Sequence, residues 1–151
     1  MDRGLFQRAS RNPEINLLLF AFLLNFVWEM WQVPFYRGMA STDHIKAIRL
    51  CTQASIGDSF ITVAAFWGAA LTARSRGWLH RVEPAPLLVY LTIGILISTG
   101  LEWLAIGPLE RWSYAPTMPQ LPLLGTGVLP LLQWIVLPPL ILFFVRRQIT
   151  S

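Results

Sequence analysis

A chain of 151 residues that is 54% hydrophobic and 13% charged, with a mean hydropathy of +0.51, is too apolar for an ordinary soluble domain of this size, so its expected solvent is a membrane. Its net charge of +4 comes from twelve basic residues, eleven of them Arg, set in short clusters between apolar runs. That is the pattern of topology signals and not of a phosphate-binding face, which excludes nucleic acid as a partner. With Cys51 as the single cysteine and only His44 and His80 beside it, no internal disulfide and no metal-ligand spacing exists, and neither a metal nor another cofactor is expected.

The chain opens with Arg3, Arg8 and Arg11 ahead of INLLLFAFLL, an arrangement shared with secretory signals. The run leads into bulky residues instead of a small-residue cleavage site, so a retained first span is expected over 15–36. In the connection over 37–54, Ser41 or Thr42 can cap a short helix that puts Ile45, Ile48 and Cys51 on one face, and this stretch is expected to lie on the membrane surface. A second span follows over 55–73, a basic turn over 74–85 and a third span over 86–104. Pro108, Pro116 and Pro119 exclude a continuous helix over 105–120, and the fourth span takes 121–145. Each run is long enough for a hydrocarbon core of roughly 30 Å. The expected fold class is therefore an all-α integral membrane protein, a single four-helix transmembrane bundle over 1–151. Arg3, Arg8, Arg11, Arg74, Arg76, Arg81, Arg146 and Arg147 fall on one side and Arg37, Lys46, Arg49 and Arg111 on the other, which puts both termini in the cytoplasm. The Arg-rich, Lys-poor usage hints at a GC-rich bacterial genome, and hence at a bacterial inner membrane.

Polar residues are expensive inside such spans and need a reason. The stretch NFVWEMWQVPFY sets Asn25, Glu29, Gln32 and Tyr36 on one helical face. At 1.5 Å per residue Glu29 lies within roughly 9 Å of the outer boundary, Asp58 about 4 to 5 Å into span two, and Glu102 about 24 Å along span three from the inside. All three carboxyl groups thus share the outer half. Thr62 accompanies Asp58, Ser98 and Thr99 accompany Glu102, and span four adds Gln133 on a helix interrupted by Pro130, Pro138 and Pro139. The reading is a blind acidic pocket centred on Glu29, Asp58 and Glu102 as catalytic residues. Asn25, Gln32 and Gln133 support it, Trp28, Trp103, Trp112, Tyr114 and Trp134 wall it, and Arg111 supplies the counter-charge. Without that counter-charge, three crowded carboxylates would repel one another and at least one would keep its proton. The segment GPLERWSYAPTMP is expected to fold over the mouth as an ordered cap.

The bland alternatives are specific. Asp58 and Glu102 lie near span ends, where a carboxylate reaches water cheaply, and the Trp and Tyr residues are those of an outer aromatic belt. NFVWEMWQVPFY and LLQWIVLPPLILFFVRR resemble elements of the EXPERA group of small membrane proteins, four-span to five-span bundles that include sterol isomerases and sterol-binding receptors. The likeness covers about thirty residues in a different chain order, and no site residue is carried over from it.

Paired carboxyl groups under aromatic walls suit proton transfer to and from an apolar lipid, isoprenoid or sterol-like, as in double-bond isomerisation, cyclisation or hydration. Two other classes stand beside this one: an accessory subunit of a larger membrane complex, and a small proton- or cation-coupled transporter acting as a homo-oligomer. The expected partners are membrane lipids and an apolar small-molecule ligand.

Overall fold

The computed structural model describes residues 11–150, and these form four long α-helices and no β-strand: α1 (Pro13–Gln32), α2 (His44–Ala73), α3 (Pro84–Ile106) and α4 (Val128–Thr150). All four are long and apolar enough to cross a membrane. Arg3 and Arg8, two of the arginines that bear on orientation, lie outside the described residues.

α1 starts where the Asn12 side chain accepts a hydrogen bond from the Ile15 N–H (3.0 Å) and Pro13 occupies the first turn, where a missing N–H is no loss. It gives way to a 3-10 turn, Val33–Phe35, around Pro34. α2 corrects the expected boundaries. Residues 44–54 are not a separate surface helix but the opening turns of one continuous 30-residue helix. Asp43 caps it, accepting from the Lys46 N–H at 3.2 Å, while the Ser41 and Thr42 hydroxyls donate to the Gly38 carbonyl at 3.2 and 2.9 Å. Arg74 closes α2 in the left-handed region (φ 50°), its backbone N–H donating to the carbonyls of Ala70 and Leu71. A 3-10 turn, Arg76–His80, leads to α3, whose first turn again holds a proline, Pro84.

α4 begins at Val128 and not at 121. Pro122 stands in the way, and turns hold the preceding residues: Leu121 N–H donates to Thr126 O and Gly125 N–H to Leu121 O, both at 2.9 Å, with Gly125 at φ 65°. Pro138 and Pro139 lie within α4 without ending it. Lacking N–H groups, they leave the carbonyls four residues earlier, on Trp134 and Ile135, without their helical donors.

α1 packs on α2 and α4, and α3 packs on the same two helices, so the bundle has four corners. One end gathers the first turn of α1, the Arg76–His80 turn and the end of α4, joined by an Arg76–Glu14 ion pair (2.5 Å) and an Arg146 Nη2–H to His80 O bond (3.5 Å). At the other end the segments following α1 and α3 are tied by an antiparallel bridge between Tyr36 and Tyr114. Arg37 N–H donates to Ser113 O at 2.8 Å and Ala115 N–H to Phe35 O at 2.9 Å. The expected cap takes this form: Tyr114 and Met118 are buried with Leu129 against Phe35, Tyr36 and Ile106.

Polarity runs opposite to that of a water-soluble bundle. Ile15, Leu19, Leu23, Val27 and Trp31 form an exposed apolar stripe on α1, while Asn16, Asn25 and Gln32 of the same helix are buried. On α2, Ile56, Phe60, Trp67 and Leu71 face outward and Ser55, Ser59 and Thr62 inward. Each of these three hydroxyls donates to the carbonyl four residues back, at 2.7 to 2.8 Å, so none of the three is left without a partner. An apolar exterior around inward-facing polar groups suits a hydrocarbon solvent.

Candidate functional site

The polar side chains of the interior cluster toward the aromatic end. Glu29 lies about 5 Å from the end of α1 and Gln133 about 8 Å from the start of α4, whereas about 21 Å of α2 precede Asp58, at 1.5 Å per residue. The extra length of α2 stands beyond the site, so Asp58 belongs to the middle of its helix and not to the beginning. This weakens the bland reading of Asp58 as a first-turn acid.

The centre of the cluster is the Gln133 amide. Its Nε2 donates to Asn25 Oδ1 at 2.8 Å, to Asp58 Oδ2 at 3.0 Å and, at a longer 3.4 Å, to Glu29 Oε1. One NH2 group has two hydrogens for three oxygens, so the Glu29 contact is shared. Glu29 receives its stronger bond from Gln32 Nε2, at 2.8 Å. Asn25 is fixed by its own Nδ2–H to Ala21 O bond (2.8 Å), which turns its carbonyl toward Gln133. Helices α1, α2 and α4 thus meet at one side chain, and the Glu29 and Asp58 oxygens are no farther apart than the two bonds from Gln133 laid end to end. Trp134 is buried beside Asp58, its indole N–H near the carboxyl group without the geometry of a hydrogen bond. Its ring lies against Gly94 of α3, where a Cβ would strike it.

Glu102 does not join this cluster. It is buried, and its Oε1 accepts from the Tyr114 hydroxyl at 2.6 Å, Trp112 Nε1 at 3.2 Å and the Tyr36 hydroxyl at 3.3 Å. The Tyr114 oxygen accepts in turn from the Gly127 N–H at 2.7 Å, so this carboxyl group ties the cap to the bundle. Burial, followed by hydrogen bonding to Glu102 and the field of its carboxylate, raises the Tyr114 phenol well above its ordinary value. Burial raises Tyr36 likewise, followed by the fields of Glu102 and Glu29. Both phenols are therefore committed donors at neutral pH, and Tyr36 lies within electrostatic reach of both acidic centres.

The geometry revises several expected roles. Arg111 is exposed, with its guanidinium 5.8 Å from the Trp112 ring centroid, and no arginine or lysine is hydrogen-bonded to Glu29, Asp58 or Glu102 among the described residues. It is not the expected counter-charge; three neutral donors stand around Glu102 instead. Trp103 is 49% exposed on the outside of α3 and walls nothing. Trp28 packs on the core and edge-on to Trp31, with its Nε1 buried and without a partner, as is Gln32 Oε1. Tyr36, absent from the expected site residues, proves to be a Glu102 ligand; its place on the Asn25–Glu29–Gln32 face was the signal that could have identified it. Beyond the cluster, toward the arginine-rich end, the interior is mainly apolar, with Leu17, Ala21, Phe66, Ala69, Leu137, Ile141 and Val145 packed together and Asn16, Trp78 and Tyr90 as its buried residues with polar atoms. No protein-family model, curated protein or solved structure matches the chain.

Proposed function

We propose that the chain is a multi-pass membrane protein, with both termini on the cytoplasmic side of a bacterial inner membrane, that binds an isoprenoid or sterol-like lipid beside Gln133 and acts on it by acid–base chemistry. Two carboxyl groups on one amide carry this reading. Glu29 and Asp58 share Gln133 with no basic partner among the described residues, while the Trp134 N–H beside them is left unbonded. A buried donor or acceptor without a partner costs about 1–3 kcal/mol, which a ligand polar atom would recover. Trp28 Nε1 and Gln32 Oε1, four residues apart on α1, add one unbonded donor and one unbonded acceptor. A hydroxyl on an otherwise apolar ligand can answer both kinds.

In this mechanism Glu29 gives a proton to the substrate and Asp58 takes one from it, with Gln133 and Gln32 holding the two carboxyl groups in place. Glu102 fixes the cap that excludes water. The mainly apolar interior toward the arginine-rich end supports a blind site over a path through the membrane, and so a lipid-directed role over transport.

The test is mass spectrometry of lipids retained by the gently purified protein, wild type against Glu29→Gln. Expected is one isoprenoid or sterol-like species enriched over bulk phospholipid in both, with its ratio of double-bond isomers shifted in the variant. Bulk phospholipid alone, together with a stoichiometric protein partner, would overturn the reading in favour of an accessory subunit.

A further inference from the structure

At the arginine-rich end a groove of about 340 Å³ opens beside the last turns of α2, lined by Trp67, Ala70, Leu71, Arg74, Ser75 and Arg76. Its lining is mainly apolar and includes two members of the outward stripe of α2: Trp67 is 41% and Leu71 78% exposed. Arg74 and Arg76 are its basic members. The Arg76 guanidinium is bridged to Glu14 at 2.5 Å and lies 5.0 Å from the Trp67 ring centroid. That bridge uses one of its nitrogens, and a guanidinium has five N–H groups in all. Arg74 is exposed and makes no side-chain bond among the described residues, while its backbone is fixed by the α2 cap. The Ser75 Oγ accepts from the Gly77 N–H at 3.1 Å, which leaves its hydroxyl hydrogen free to donate.

We infer that this groove binds the headgroup of an anionic phospholipid, with the phosphodiester on Arg74, Arg76 and Ser75 and an acyl chain along Trp67 and Leu71. Charge complementarity selects that occupant. Among the described residues this end carries Arg11, Arg74, Arg76, Arg81, Arg146 and Arg147 against Glu14 and Glu83. Guanidinium forks match phosphate oxygens in two-point contacts, and basic pockets between spans at the membrane surface recognise such headgroups. The site is separate from the acid–base pair and shares with it only the reading that the helices span a membrane.

The experiment is native mass spectrometry of the full chain in detergent, titrated with phosphatidylglycerol or with phosphatidylcholine of the same acyl chains. Arg74→Asn removes the charge while keeping a residue that tolerates the left-handed backbone. Expected is preferential retention of phosphatidylglycerol by wild type, reduced roughly fivefold in Arg74→Asn, as a single surface-adjacent arginine implies. Retention should be unchanged in Arg49→Gln, which loses the same charge from the first turns of α2. Equal retention of the two lipids, or an equal loss in both variants, would overturn the inference while leaving the acid–base site untouched. Displacement of the lipid by soluble glycerol phosphate at matched concentration would overturn it in favour of a free phosphate ester. A protein that stays in solution after detergent removal would overturn both the groove and the membrane reading.

Discussion

Glu102 illustrates how three neutral donors can replace a cation. Tyr114 provides the shortest bond at 2.6 Å and simultaneously serves the Gly127 N–H, whereas Tyr36 contributes a 3.3 Å contact and serves nothing else by its hydroxyl. Tyr114→Phe therefore strands the buried Gly127 N–H and removes the shortest of three bonds to the Glu102 oxygen, and should cost about 2–3 kcal/mol, against about 1 kcal/mol or less for Tyr36→Phe. Thermal melts of the two variants in the same detergent should rank them in that order. The pH dependence follows from the raised phenols. A tyrosine whose folded-state value exceeds the unfolded 10.0 contributes stability that is complete below pH 10.0 and is lost as the pH rises above it, because the unfolded chain releases the proton first. The melting temperature contribution of Tyr114 should thus hold through neutral pH and decline only in the strongly alkaline range. Wild type should lose its advantage over Tyr114→Phe there, and a constant difference between the two would refute the linkage. That Asn25, Glu29, Gln32 and Gln133 meet in one polar cluster was legible because polar side chains at helical spacing in an apolar run need a common destination. The failure of Arg111 was not legible: a charge in a loop can turn to water, and no spacing rule records that choice.

Among the elements, the helices were legible wherever hydropathy and hydrogen bonding agree. They part company at α2, where His44, Lys46 and Arg49 end the apolar window but not the helix, since the backbone ladder continues through them. The opposite error occurs at α4: residues 121–127 are apolar enough to extend a window, with Leu123 98% exposed, yet Pro122 and the glycines hold them in turns. Contact between α3 and α4 depends on Gly94, whose missing Cβ leaves room for the Trp134 ring. Gly94→Ala should displace that ring from Asp58 and destabilise the bundle by about 1–3 kcal/mol, the usual cost of overpacking. Gly100 of the same helix has nothing near its Cβ position, and Gly100→Ala should be neutral or stabilising by up to about 1 kcal/mol from helix propensity. Melting temperatures of the pair separate a packing requirement at one glycine from a general intolerance of α3 to alanine. A loss of equal size at both would show that Trp134 is not what Gly94 accommodates.

On the scale of the whole molecule, the two ends of the bundle differ in kind. One collects arginines, an ion pair and the basic groove; the other collects Trp112, Tyr36 and Tyr114 around a buried acid, with the Glu29–Asp58 pair just beneath. Basic segments resist translocation, so the proposed orientation sets the arginine-rich end in the cytoplasm and the acid–base site toward the outer leaflet. Cys51 is the single cysteine and is buried, so Cys51→Ser gives a silent background for new thiols. Ser75 and Thr117 are exposed at opposite ends. In intact cells a membrane-impermeant maleimide should modify Thr117→Cys and leave Ser75→Cys unmodified until the membrane is permeabilised. The reverse pattern would turn the bundle over, open the acid–base site to lipids of the cytoplasmic leaflet, and move the phospholipid groove to the outer one. Because the two candidate sites occupy opposite ends of the same four helices, one labelling experiment fixes the leaflet that each proposed site would face.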